Sequence, residues 1–176
     1  MEHQAARTIF EEIRSRPYAW STEIGKPASN CYFKGIELLQ RLGILGYTVR
    51  GRIGETYLDT KIPEEVRVLY PSEFQLTHFW VEVQLAEVWR TLDASYDPGL
   101  AYAGFNVNDW DSNQTCFQIT KTYTQQEAIA YQSTWNDPGY ARSYFEAVRP
   151  CATALNNWYE SLRGAGKPDN KSTKKD

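Results

Sequence analysis

Histidine is scarce in this chain, with two among 176 residues, and no run of apolar residues approaches the length of about 20 that a bilayer-spanning helix needs. The latter excludes a transmembrane helix. The opening Met1-Glu2-His3-Gln4 has neither the basic segment nor the apolar stretch of a secretory signal, so the cytoplasm is the expected setting. There is no basic excess: 19 Lys and Arg stand against 22 Asp and Glu, for a net charge of -3, which argues against nucleic acid as a main partner. Three cysteines (Cys31, Cys116 and Cys151) are an odd number at spacings that fit neither a disulfide framework nor a zinc site. The run Asp109-Trp110-Asp111-Ser112-Asn113 starts like a calcium loop but has Gln114 at position six and Thr120 at position twelve, so it implies no metal. No cofactor motif and no internal repeat is present.

What is abundant is apolar and aromatic. Hydrophobic residues make up 41% and aromatic residues 14%, a globular composition, and the length suits a single domain over 1–163 followed by a polar, disordered tail over 164–176. Ile9, Phe10 and Ile13 recur at helical spacing within Ala5 to Arg16, and Pro17 ends that helix. A second helix runs from about Tyr32 to Leu42 on Ile36, Leu38, Leu39 and Leu42, with Gly43 as its stop. Residues 47–53 alternate as a strand; 57–72 read as loop with one helical turn. Residues 77–85 and 87–94 form an antiparallel hairpin turning at Ala86, 116–120 another strand, and 124–134 and 140–163 helices, the last interrupted at Pro150. The class is α+β.

Cys31 opens the second helix, where free backbone N–H groups and the helix dipole favour thiolate. A nucleophilic cysteine needs a base and a group that orients the base. His3 sits in a terminus prone to fray, which leaves His78 at the start of the hairpin's first strand. Asp93 lies near the end of the second strand, so the hairpin makes the two cross-strand neighbours. Taken singly, each has an ordinary structural explanation: a small core residue, a hydrogen-bonded strand histidine and a turn former. Their joint order, cysteine on a helix and then histidine and aspartate on one hairpin, points to a thiol nucleophile with its base and orienting group. Asp97, Glu82 and Glu37 fit that set less well, and Cys116 and Cys151 are assigned to structure.

Cys31 at a helix start with Leu42-Gly43 at its end, then His78-Phe79-Trp80-Val81-Glu82-Val83, then Trp89-Arg90-Thr91-Leu92-Asp93, together resemble the transglutaminase-like superfamily of papain-type thiol enzymes, over roughly Tyr18 to Gly99. The resemblance implies a papain-like core with the cysteine helix packed on an antiparallel sheet, carrying extra C-terminal helices here. It also implies Cys31 as nucleophile, His78 as base and Asp93 as the orienting group. The glycine usual before the cysteine is Asn30 in this chain.

The expected activity is cleavage or transfer of the acyl group of an amide or ester through an acyl-enzyme, as in a protease, amidase or transglutaminase, with a peptide or protein amide as substrate. The Cys31 N–H is a natural oxyanion donor, and a second would come from Trp20, Tyr18 or Asn30. Tyr18, Trp20, Tyr32, Phe79 and Trp80 are candidates to line a peptide cleft. The alternative is an inactive relative that keeps the fold to bind a peptide or protein; arylamine acyl transfer ranks third, because the Arg-Gly-Gly-x-Cys approach is absent.

Overall fold

A computed structural model describes residues 3–165, in which Gln4–Ser15 (α1), Cys31–Ile44 (α2), Val49–Thr56 (β1), Glu64–Arg67 (α3), Thr77–Leu85 (β2), Val88–Leu92 (β3), Ile119–Thr122 (β4), Gln125–Thr134 (α4) and Pro138–Ala165 (α5) follow in chain order, with a 3-10 turn at Pro98–Ala103. The four strands form one curled antiparallel sheet in the order β3-β2-β1-β4, so the fold is α+β. No helix among the described residues is long and apolar enough to cross a membrane. Of the expected tail, Gly164 and Ala165 complete α5, and the rest lies outside the described residues.

The alternation of β2 creates the main core. Phe79, Val81, Val83 and Leu85 point to one face and pack with Leu38 and Leu42 of α2 and with Ala6, Phe10 and Ile13 of α1. Gly35 is what lets α2 approach so closely: a Cβ there would stand 2.4 Å from the Phe79 ring. A second core gathers Tyr18, Tyr96, Leu100, Phe105 and Phe117 around Cys151, Leu155 and Tyr159 of α5.

Three expectations are corrected. α2 does not stop at Gly43. It continues to Ile44 and closes in a Schellman motif, Gly46 N–H to Gly43 O at 2.9 Å and Tyr47 N–H to Leu42 O at 3.1 Å, because Gly46 is the residue that takes positive φ. Pro150 does not interrupt the last helix: it lies on the exposed side of α5, where water can serve the carbonyl its ring leaves unpaired, while Val148, Cys151 and Ala152 stay buried on the other side. The hairpin turns on two residues, Ala86 and Glu87, both at positive φ as a two-residue I′ connection requires. That sets Leu85 opposite Val88 and Val81 opposite Leu92, one step away from a turn centred on Ala86.

Candidate functional site

The observed register carries Trp80 to the level of Asp93 and His78 to the level of Ser95, so His78 and Asp93 are diagonal neighbours on one face, not directly opposed. A diagonal pair is bridged by its side chains. The His78 ring donates from Nε2 to Asp93 Oδ2 at 2.6 Å, with both side chains essentially fully buried. Asp93 is saturated: Oδ2 also accepts from the Cys116 N–H at 2.7 Å, and Oδ1 accepts from the Ser95 N–H at 3.1 Å and the Ser95 hydroxyl at 2.5 Å. Its own N–H donates to Asn108 Oδ1 at 3.1 Å, and Asn108 is fixed in turn by its Nδ2 on Gln114 O and by Arg14 on its carbonyl.

These contacts set the charges. Burial penalises the Asp93 carboxylate, but the His78 charge and the hydrogen bonds from His78, Ser95 and Cys116 outweigh it and hold the pKa below the ordinary value. Burial likewise depresses His78, and the Asp93 charge and hydrogen bond, helped by Cys31, more than reverse it, raising the imidazole to about 10. His78 Nδ1 is buried without a hydrogen-bond partner, with the Cys31 thiol near enough to act on the ring. The ring is held in place by Phe117, 4.3 Å away between centroids, and by Trp80, stacked at 6.0 Å with 14° between planes.

Cys31 is half-buried at the first position of α2. Asn30 caps the helix, its side-chain oxygen accepting from the Phe33 N–H at 3.0 Å, and its Nδ2 donates to Ser21 Oγ at 3.2 Å. Both polar atoms of the Asn30 side chain are thus engaged within the loop. The Cys31 N–H has no acceptor inside the helix, as for any first-turn donor.

Of the sequence candidates, Trp20 stands out. Its indole Nε1–H is buried with no acceptor, and its backbone is gripped on both sides by Asn156 of α5, N–H to Oδ1 at 2.8 Å and carbonyl from Nδ2 at 3.0 Å. Arg163, also on α5, anchors the same segment by donating to Tyr18 O at 2.9 Å and to Asp97, whose carboxylate accepts from the Tyr18 N–H at 2.8 Å. The Tyr18 phenol is raised well above its usual range by burial first and by Cys31 next. Tyr131 of α4 shares a hydroxyl hydrogen bond of 2.8 Å with Thr77, adjacent to His78. Tyr32 packs edge-on to Phe79 and remains half-exposed beside Cys31. Two surface clefts, about 350 Å³ beside Tyr18 and Asn156 and about 430 Å³ between Ser29, Phe33 and Glu37, are lined by neither Cys31 nor His78.

Ser95, Asn108, the Cys116 N–H and Lys34 are participants that sequence reasoning missed. Asp93-x-Ser95 is an Asx-turn pattern and signals the first. Lys34, in step with Leu38 on the buried side of α2, is a charge on an apolar stripe. Asn108 and Cys116 come from an irregular loop without a local signal. Among the described residues no grouping of three or more His, Cys, Asp or Glu is placed to hold a metal. Comparison with protein-family models, with curated proteins and with solved structures finds no match. The arrangement itself is a thiol at a helix N-terminus, an imidazole with one free buried nitrogen, and a carboxylate fixing the other nitrogen, which is the equipment for proton exchange with a sulfur nucleophile.

Proposed function

We propose that the chain is a thiol acyl transferase or hydrolase of the transglutaminase-like, papain-type class, acting on an amide or ester of a peptide or protein through Cys31, His78 and Asp93. The observation that carries this reading is the 2.6 Å His78 Nε2–Asp93 bond, which commits one ring nitrogen to the carboxylate and leaves Nδ1 free for a thiol, with Cys31 near enough to act on the ring. Asp93 fixes tautomer and orientation; His78 Nδ1 takes the Cys31 proton; the thiolate attacks the carbonyl carbon. The oxyanion accepts from the Cys31 N–H and from Trp20 Nε1–H, whose lack of any acceptor suits it to a charge that forms only during reaction. As the tetrahedral intermediate collapses, the C–N or C–O bond breaks, His78 protonates the leaving amine or alkoxide, and the acyl group stays on sulfur. Water or an amine then attacks, giving up its proton to His78, and the thiolate returns.

Labelling by a thiol-directed acylating probe, read by intact mass, tests the proposal. One adduct on the wild-type chain and none on a folded Cys31→Ala variant supports it. Equal labelling of the variant overturns it. A screen of peptide amides with and without an added primary amine separates hydrolysis from transamidation, and failure to form any acyl adduct favours the alternative of a non-catalytic binding module.

A further inference from the structure

Lys34 lies one turn after Cys31 on the same helix, is 2% exposed, and spends its ammonium on three backbone carbonyls: Arg14 O at 3.2 Å, Arg16 O at 2.5 Å and Ser95 O at 2.9 Å. The first two belong to the C-terminal end of α1, where carbonyls have no helical partner. The third belongs to the residue whose N–H and hydroxyl both hold Asp93 Oδ1. A chain of direct contacts thus runs from the helix that carries the thiol, through Lys34 and Ser95, to the carboxylate that holds His78. Three acceptors require three N–H groups, which only the protonated amine supplies.

We infer that Lys34 is a positioning residue that locks Asp93, and through it the His78 imidazole, to the helix bearing Cys31, and that this lock holds only while its side chain is an ammonium. The inference rests on the acyl-transfer reading for its meaning, although its geometry does not depend on that reading. Burial lowers the Lys34 pKa to about 8; Asp97 and Cys116 face it and favour the charged form, while Arg16 and Arg163 oppose it. Above that pH the neutral amine has two hydrogens for three carbonyls. One bond is lost, and loss of the bond to Ser95 loosens the turn that grips Asp93.

The test is Lys34→Met, which keeps the length of the stem and removes all three donors. Nuclear magnetic resonance of the His78 ring reads the Nε2–H proton and the imidazole titration. In a folded variant the titration midpoint falls by at least about one pH unit, and the Nε2–H signal moves upfield or exchanges faster with water. A purely structural lysine would lower the melting temperature and leave both signals where they are. A folded Lys34→Met chain with an unchanged His78 titration overturns the inference. The wild-type chain gives a reading that needs no variant: the Nε2–H shift should show an inflection near pH 8, before His78 itself loses charge near 10, and a shift that stays flat through pH 8 overturns the inference equally. Alkylation of wild-type Cys31 at pH 6 keeps the two ideas apart, since its absence defeats the acyl-transfer reading while the ring signals still decide the role of Lys34.

Discussion

Replacing Asp93 by Asn changes one oxygen into a donor at a position where every neighbour is already donating. If the new NH₂ takes the place of Oδ2, it meets His78 Nε2 and the Cys116 N–H; if it takes the place of Oδ1, it meets the N–H and hydroxyl of Ser95. The Ser95 hydroxyl can rotate to accept, and the imidazole can switch tautomer. Neither backbone N–H can. Every orientation therefore leaves at least one buried N–H unpaired, at about 1–3 kcal/mol, and forfeits a charge-assisted bond of about 1.5–3 kcal/mol. Allowing for overlap between these terms, Asp93→Asn should lower stability by about 2–4 kcal/mol in urea denaturation near pH 6.5. The orientation that satisfies Ser95 also moves the ring proton to Nδ1, the nitrogen proposed to take the Cys31 proton, so turnover or Cys31 acylation should fall by roughly 10³–10⁴. A folded variant within about 0.5 kcal/mol of wild type, with an unchanged His78 titration, would refute the reasoning.

Three further outcomes follow from the packing and the charges. Gly35→Ala places a methyl 2.4 Å from the Phe79 ring, so α2 must shift from β2; overpacking costs about 1–3 kcal/mol against a helix-propensity gain of about 1, leaving a net loss of up to about 2 kcal/mol and a larger relative loss of acylation, because Cys31 moves with the helix. Arg163→Ala strips Asp97, 4% exposed, of its guanidinium and frees the Tyr18 carbonyl; a loss of about 2–4 kcal/mol is expected in thermal or chemical unfolding, and one below about 0.5 kcal/mol would contradict the anchoring role of α5. His78 is raised from 6.5 to about 10 on folding, so the native state holds a proton the unfolded chain releases, and that contribution, complete below 6.5, is lost as pH rises toward 10. Lys34, lowered to about 8, acts with the opposite sign only from there upward. In the proposed pair the His78 proton is the one the Cys31 thiol gives up, which cancels this slope in wild type, so the test is Cys31→Ala: between pH 6.5 and 8 its stability should fall with rising pH, and urea midpoints that rise across that window would defeat the assignment.

Much of the arrangement is legible in the residues because its signals are local. The alternation in Thr77–Leu85 and the apolar stripe of α2 predict the hairpin and the helix, and the first-turn cysteine, the strand histidine and the strand-end aspartate stand out by type and order. The register does not, since it depends on Ala86 and Glu87 accepting positive φ, which neither residue advertises. Nor is the stop of α2 legible at Gly43, because two glycines compete and only the geometry of the chain's return into β1 selects Gly46. The support of Asp93 is hidden for another reason: Asn108 and Cys116 reach it from a loop 15 and 23 residues away, the latter through a backbone N–H that every residue but proline possesses. Pro150 and the clamp of Asn156 on Trp20 likewise depend on which side of a long helix meets the body of the protein.

The pH dependence of Cys31 alkylation, followed residue by residue by mass spectrometry in wild type and in His78→Gln, tests the central claim most directly. If Cys31 and His78 form a thiolate–imidazolium pair, wild-type alkylation continues nearly undiminished to about pH 6, and in His78→Gln it declines below the ordinary thiol range near 8.5. Wild-type alkylation that falls away below pH 8.5 as it does in the variant would contradict the pairing, and with it the proposed acyl transfer.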